Sequence, residues 1–343
     1  MSKLLEVKDL KVSYHTYAGE VKSVRGIDFY IEEGETLAIV GESGCGKSVT
    51  AKAIMGLIED SNSEIKQESK ILYKGKNILE FTETQWNEYR GGECAMIFQD
   101  ALASLNPTMT VGKQIAENLI IHKGMNKSDA MKEAIKMLEL VGIPMPERRV
   151  KQYPHEFSGG MSQRVMIAIA LSCSPKLLIA DEPTTALDVT IQAQIIQLIK
   201  TLQQDINMSV ILITHDLGIV ADVANRIVVM YSGKIIERGS CREIFYNPKH
   251  PYTWALLNAV PRLDLKSDKK LASIEGTPPN LICPPKGCPF STRCKFCMNI
   301  CIEKAPPEYK FEDGHTSCCW IHHPQASKED MPFETGGVAV CQN

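Results

Sequence analysis

Gly41, Glu42, Ser43, Gly44, Cys45, Gly46, Lys47 and Ser48 follow a short apolar run at 37–40 and precede a helix-like stretch at 49–57. The glycines let the backbone turn tightly and aim successive N–H groups inward, and the helix N-terminus behind them adds a partial positive charge. In such a loop Lys47 reaches the β- and γ-phosphates of a nucleotide and Ser48 offers its hydroxyl to Mg²⁺. The flanking strand and helix separate this reading from that of a solvated glycine turn. Asp181 and Glu182 end a second apolar run. Paired carboxylates at a strand end are wasteful unless a cation or a water needs them: Asp181 would hold Mg²⁺ through a water, and Glu182 would polarise the water that attacks the γ-phosphate. Taken singly, either could equally cap the following turn.

His215 closes the apolar run 210–214, and Gln99 closes the run 94–98. Alone, a histidine there is more often a satisfied polar group than a catalytic one. Following the carboxylate pair by one strand, His215 is expected at the same sheet edge, within reach of the γ-phosphate and the attacking water. Ser158, Gly159 and Gly160 form a second glycine-rich segment before an apolar helix predicted to start near Ser162, and could cradle phosphate by the same helix-terminus physics. One nucleotide has no evident need of two such loops.

These groups require an α/β frame. Residues 4–14 and 21–31 read as strands of an antiparallel layer, with Gly34 and Glu35 turning into the buried strand. Between 111 and 161 the pattern is helical: Met131, Ala134, Ile135, Leu138 and Val141 recur at helical spacing, and Gly142 with Pro144 supplies a stop. That predicts a helical subdomain, about residues 100–165, inserted into the core. Runs at 176–181 and 209–214 flank a helix-like 190–204, the alternation of a parallel sheet. A hairpin follows, 227–230 and 235–238, turning at Gly233. Beyond Asn247, Pro248, Lys249, His250 and Pro251 the composition shifts toward proline and cysteine, which sets the domains at 1–250 and 251–343.

The 343 residues suffice for one substantial core and an appended module. A net charge of −3 gives no global attraction to nucleic acid or anionic lipid. The first residues hold no apolar signal core and no apolar run approaches the length of a spanning helix, so a soluble, cytosolic chain is expected. Twelve cysteines are unevenly placed, eight of them between Cys283 and Cys341. Without a secretion signal a disulfide framework is disfavoured, and metal or cluster ligation leads.

Taken together, these motifs resemble the nucleotide-binding subunits of ABC transporters over about residues 4–250. The resemblance implies a P-loop NTPase, RecA-like core with an antiparallel β subdomain and an inserted helical subdomain. It casts 41–48 as Walker A, Gln99 as the Q-loop, Phe157 to Met161 as the signature, Asp181 and Glu182 as the end of Walker B, Thr185, Ala186, Leu187 and Asp188 as the D-loop, and His215 as the switch. The signature departs from the usual Leu-Ser-Gly-Gly-Gln at both ends, but Ser158, Gly159 and Gly160 are intact. Two ATPase domains facing head to tail would explain the second glycine loop, each nucleotide lying between one chain's Walker A and the other's signature. ATP would then contact Gly41, Ser43, Gly44, Cys45, Gly46, Lys47, Ser48 and Val49, with Tyr14 stacked on adenine and Tyr17 as the fallback. Ser48 and Gln99 would complete the Mg²⁺ shell, and Asp188 would communicate across the dimer.

His250, Pro251, Tyr252 and Thr253 with Leu256, Leu257 and Pro261, then Gly287, Cys288, Pro289, Phe290, Arg293 and Cys294, resemble the oligopeptide/dipeptide importer ATPases with their C-terminal extension. That branch implies peptide uptake, some relatives carrying nickel or other solutes, and as partners a second ATPase subunit, identical or homologous, two membrane permease subunits and an extracytoplasmic peptide-binding protein. The chain itself would sit peripherally on the cytoplasmic face of the membrane. A non-transport ABC ATPase carrying a metal cluster, such as a translation or repair factor, is the alternative; the fused second ATPase domain of the one and the coiled-coil interruption of the other are not visible.

Cys288, Cys294, Cys301 and Cys319 can hold a metal in a proline-rich segment. Spacing alone does not choose the metal. In the related extension these four positions match a pattern associated with a [4Fe–4S] cluster, expected to be structural. Zinc competes, because Cys294 and Cys297 form a C-x-x-C pair and Cys318, Cys319, His315, His322 and His323 are at hand, and free buried or surface thiols are the third alternative. Between Cys318 and Cys319, the family's habit of placing its last cysteine before His or Trp favours Cys319.

Overall fold

The computed structural model describes residues 2–59, 61–184, 188–259, 274–311, 314–326 and 338–339. Two long strands open it, β1 (Lys3–Thr16) and β2 (Gly19–Glu32), followed by β3 (Thr36–Val40), α1 (Lys47–Ile54), β4 (Ser63–Ile65), β5 (Lys70–Tyr73) and β6 (Lys76–Asn77). Next come α2 (Glu83–Tyr89), β7 (Cys94–Ile97), α3 (Ala101–Ser104), α4 (Val111–Lys123), α5 (Lys127–Leu140), α6 (Pro146–Arg149) and α7 (Gly159–Leu171). The chain continues through β8 (Leu177–Asp181), α8 (Val189–Ile206), β9 (Ser209–Thr214), α9 (Leu217–Val223), β10 (Arg226–Tyr231) and β11 (Lys234–Ser240). It closes with α10 (Cys241–Tyr246), α11 (Pro251–Asn258), α12 (Asn299–Glu303), β12 (Tyr309–Lys310), β13 (Thr316–Ser317) and β14 (Val338–Ala339).

Two compact units divide these elements. One comprises Met1–Leu4, Ile31–Thr36 and Asn77–Ile213; the other comprises Leu5–Tyr30, Leu37–Lys76 and Thr214–Asn343. In the first, β7, β8 and β9 run parallel, with Cys94 opposite Leu177 and Leu177 opposite Ser209. All residues of the three strands are buried, which is why they read as unbroken apolar runs. The helices α3 to α7 are inserted between β7 and β8. Helix α5 starts where the Asn126 side chain accepts the Asp129 N–H at 3.0 Å, and stops before Gly142, whose φ of +73° few other residues adopt. Its buried stripe is Ala130, Ala134, Met137 and Leu138; Met131 and Ile135, predicted to share it, are only partly covered.

A helix predicted from Ser162 begins at Gly159 instead. Glycine's low helix propensity argues for the later start, but the Ser158 hydroxyl accepts the Met161 N–H at 3.4 Å and caps the helix across both glycines. The turn before β3 is pinned by long-range bonds: Gly34 donates to the Ser209 hydroxyl at 2.9 Å and accepts from the Gln203 amide at 2.7 Å. Residues 63–89 carry β4, β5, β6 and α2, none of which apolar spacing announces. Helix α2 is set by a capping box in which Thr82 and Gln85 satisfy each other's backbone N–H groups.

In the second unit β10 runs parallel to β3, Val228 opposite Ile39, and antiparallel to β11 across a turn at Ser232 and Gly233, both at positive φ. Strand β1 lies beside β2 in one sheet, the layer expected of residues 4–14 and 21–31, and also pairs antiparallel with β4 and β5. The segment after residue 250 packs into this unit. Strand β13 extends the sheet beyond β11, pairing Thr316 with Arg238 and Ser317 with Glu237. Cys288, Phe290 and Cys301 join Ala38, Val40, Val229, Tyr231 and Tyr252 in one buried cluster. Pro261, the D-loop residues Thr185, Ala186 and Leu187, Asp313 and Cys341 lie outside the described residues. Among the described residues no helix is long and apolar enough to cross a membrane.

Candidate active site

Strand β3 delivers the loop 41–48 at its C-terminal end, and α1 begins within the loop, at Lys47. Gly41, Gly44 and Gly46 all hold positive φ, 151°, 77° and 103°. At Gly46 a Cβ would stand 2.6 Å from the Ser23 carbonyl oxygen, and at Gly41 a Cβ would meet Met230 O, so those two positions admit only glycine; above Gly44 the space is open. Lys47 is buried, and its ammonium donates to the carbonyls of Gly41 at 2.7 Å and Glu42 at 3.0 Å, with the Cys45 sulfur 3.9 Å away. The cation is thus held over the loop, where a phosphate would lie. Burial pushes the Cys45 thiol up, against the pull of Lys47, so it stays neutral and packs as a small apolar group. Ser48 and Val49 are half-buried in the first turn of α1, and Ser43 is exposed.

Glu42 itself is held twice. Its N–H donates to the Tyr252 hydroxyl at 2.9 Å, and its carboxylate takes a fork from Arg293, 2.6 Å to one oxygen and 3.1 Å to the other. Tyr252 and Arg293 are marks of the family in the sequence, but their pairing with Glu42 is not: 251 residues separate Arg293 from Glu42, and no local pattern signals such a pair. Tyr14 is half-buried on β1 opposite Ser63, its phenol pushed up by burial and then by Glu59, whereas Tyr17 is fully exposed. His215 is exposed after β9, and the next residue, Asp216, caps α9 by accepting the Gly218 N–H at 2.8 Å.

In the first unit the register of β7 and β8 does the positioning. Ile97 lies opposite Ala180. Carried two residues further, that alignment sets Gln99 opposite Glu182, and the Gln99 amide donates to the Glu182 carboxylate at 3.2 Å. Glu182 adopts φ +48°, sparsely populated for a residue with a long side chain, and its N–H is tied to Ile213 O at 2.9 Å. Strain of that kind costs on the order of 1–3 kcal/mol and collects at functional sites. Asp181, one residue earlier, is buried at the end of β8. The loop of Ser158, Gly159 and Gly160 opens α7, and a Cβ on Gly159 would meet nothing, so the N-terminus of that helix is open to approach. Asp188 caps α8, accepting the Ile191 N–H at 3.0 Å, a structural task besides the one the resemblance implies.

Cys288, Cys294, Cys301 and Cys319 of the extension lie near one another, with Cys297 beside the first three. Cys288, Cys301 and Cys319 are buried, and Cys319 lies within electrostatic reach of Cys288, Cys294 and Cys301. Cys318 points among other groups, Glu308, Arg238, Lys234 and Glu237. Burial pushes Cys288 and Cys294 up to about 12, so their thiols are neutral unless a cation draws off the proton. His315 and His322, ligand candidates under the zinc reading, are engaged with the Glu237 carboxylate at 2.7 Å and the Lys249 carbonyl at 2.6 Å. Among the described residues no three His, Cys, Asp or Glu side chains are placed to hold a metal ion.

A glycine loop between strand and helix with a buried lysine, and a strand-end carboxylate paired with glutamine, define a P-loop ATPase of the ATP-binding cassette class. Residues 24–185 match the ABC transporter family, and residues 236–301 match the C-terminal region of oligopeptide/dipeptide transporters. Among curated proteins, the oligopeptide transport ATP-binding protein OppD of Bacillus subtilis is 55% identical over 97% of this chain and 92% of its own length. The dipeptide transport ATP-binding protein DppD of Lactococcus lactis is 54% identical over 95% of this chain and 93% of its own. A dimeric ATP-binding cassette solved in a post-hydrolysis state with ADP and Pi superposes with TM-score 0.62 at 26% identity, covering 69% of this chain and 99% of that one. The chain belongs to the ATP-hydrolysing subunits of ABC transporters, in the branch with the oligopeptide/dipeptide C-terminal region.

Proposed function

We propose that this chain powers uptake of oligopeptides or dipeptides, binding and hydrolysing ATP on the cytoplasmic face of the membrane beside two permease subunits that receive peptide from an extracytoplasmic binding protein. The observation that carries the peptide assignment is the near full-length identity to peptide-transport ATP-binding proteins, extension included. ATP is held by Gly41, Ser43, Gly44, Cys45, Gly46, Lys47, Ser48 and Val49, with Tyr14 against the adenine. Ser48 and Gln99, with Asp181 through a water, would hold Mg²⁺, which would supply charge neutralisation for the phosphates. Glu182 accepts the proton of the attacking water as it meets the γ-phosphorus, and His215 and Lys47 stabilise the charge that develops on the γ-phosphate. Gln99 orients Glu182 for this through its amide bond to the carboxylate. Ser158, Gly159 and Gly160 serve the nucleotide of a second ATPase subunit, as the open N-terminus of α7 allows, and Asp188 faces that partner.

The donor set of the extension suits a [4Fe–4S] cluster better than zinc. Cys288, Cys294 and Cys301 lie within electrostatic reach of Cys319, all four are soft thiol donors, and the histidines that would complete a zinc site are bonded elsewhere. Cys288, Cys294, Cys301 and Cys319 would hold the group, which would cross-link the chain segments that carry them. Anaerobically purified protein is expected to be brown with about four irons and four sulfides per chain; colourless protein with one zinc would overturn that reading. For the transport role, the test is copurification of the chain with its permease and binding protein and identification of the bound solute. Peptide is the expected cargo, and a metal chelate or sugar would overturn the assignment.

A further inference from the structure

Glu42, the second residue of the phosphate loop, is fixed from outside the cassette motifs. Arg293 is only 5% exposed, and its guanidinium forks onto both Glu42 oxygens. The same group donates to the Tyr231 hydroxyl at 3.1 Å and to the carbonyls of Ile274 and Glu275 at 3.0 Å. Tyr252 binds the Glu42 N–H. Both tyrosines rest on Phe290, ring centroids 5.3 Å away in each case. On the other side, the Glu42 carbonyl is one of the two on which Lys47 sits. A continuous path of bonds therefore runs from the extension through Glu42 to the ammonium that meets the phosphates.

We propose that Arg293 is a positioning residue of the ATP site: by holding and neutralising Glu42 it fixes the carbonyl cradle of Lys47 and keeps a carboxylate from turning toward the phosphates. The segment after residue 250 then sets nucleotide affinity without touching nucleotide. This rests on the assignment of 41–48 to phosphate binding.

The test is equilibrium binding of Mg·ATP to the full-length chain. Arg293→Ala is expected to weaken binding about tenfold, because it leaves the partly exposed Glu42 carboxylate unneutralised beside the phosphates. Arg293→Lys is expected to weaken it about threefold, because one ammonium restores the charge but not the fork. The double variant R293A/E42Q is expected to return to the affinity of E42Q alone, since no carboxylate remains to be released. A purely structural Arg293 predicts otherwise: the bonds to Ile274 and Glu275 stay lost, and E42Q does not rescue. That failure of rescue overturns the proposal, as does wild-type affinity in R293A, or in R293K should R293A not fold. Lys47→Ala separates the two layers. If it still binds ATP normally, the loop assignment falls; if it loses ATP while R293A does not, only the coupling falls.

Discussion

His250 gives the extension a calculable dependence on pH. It is 1% exposed, and its Nδ1 accepts the Tyr252 N–H at 3.0 Å as the cap of α11, so the ring must stay neutral with its proton on Nε2. Burial, and then the neighbouring His322, pull its pKa down from 6.5 to about 3. The folded value lies below the unfolded one, so the unfolded chain takes up the proton first. The contribution of neutral His250 is whole above about pH 6.5 and is lost progressively as pH falls toward about 3. From those two values the loss is on the order of 1 kcal/mol at about pH 5.5 and on the order of 3 kcal/mol at about pH 4.5. The perturbation is His250→Asn, which keeps a capping acceptor without a titrating ring. The assay is urea unfolding at stepped pH, followed by the fluorescence of Trp254 and Trp320, both in the same unit. Groups remote from His250 cancel in the stability difference between wild type and H250N, which therefore reports His250 together with its neighbour His322. That difference should move in the variant's favour by the amounts above between about pH 7.5 and pH 4.5. A difference constant across the range refutes the reasoning.

Two further outcomes follow from the loop and from α8. Gly46→Ala must fit a Cβ 2.6 Å from a backbone oxygen at φ 103°, whereas Gly44→Ala, at φ 77°, meets open space. The second should cost about 1 kcal/mol of stability and the first distinctly more, as read by thermal unfolding; equal losses would contradict the loop geometry. Asp188→Ala removes the cap of an 18-residue helix and should cost about 1 kcal/mol, with Asp188→Asn restoring stability. Turnover lost in D188N at wild-type stability would assign Asp188 its role toward the partner subunit; turnover kept would confine it to the cap.

Much of the site was legible because its determinants are local. A glycine loop between an apolar strand and a helix needs only adjacent residues to be recognised, and the parallel strands announce themselves because burial on both faces forces unbroken apolar runs. The start of α7 was misread because two glycines mask a helix that the Ser158 cap sustains. What stayed hidden is long-range. Arg293 could be quoted from the sequence as a mark of the family, but its bond to Glu42 spans 251 residues and arises only when β10, α11 and the cysteine-rich segment share one core. The buried pair of Glu237 with His315, 78 residues apart, is of the same kind. Such pairs carry no periodicity, and only packing brings them together.

The central claim is that Glu182 converts ATP binding by this chain into work on a peptide. The most direct measurement is ATP turnover in proteoliposomes containing the chain, its second ATPase subunit and its permeases, with and without peptide-loaded binding protein, for wild type and Glu182→Gln. The account predicts turnover that rises with loaded binding protein in the wild type, and in E182Q retained ATP binding with a nucleotide-bound dimer and turnover lower by about two to four orders of magnitude. Near-normal hydrolysis in E182Q, or wild-type turnover indifferent to peptide, would contradict it.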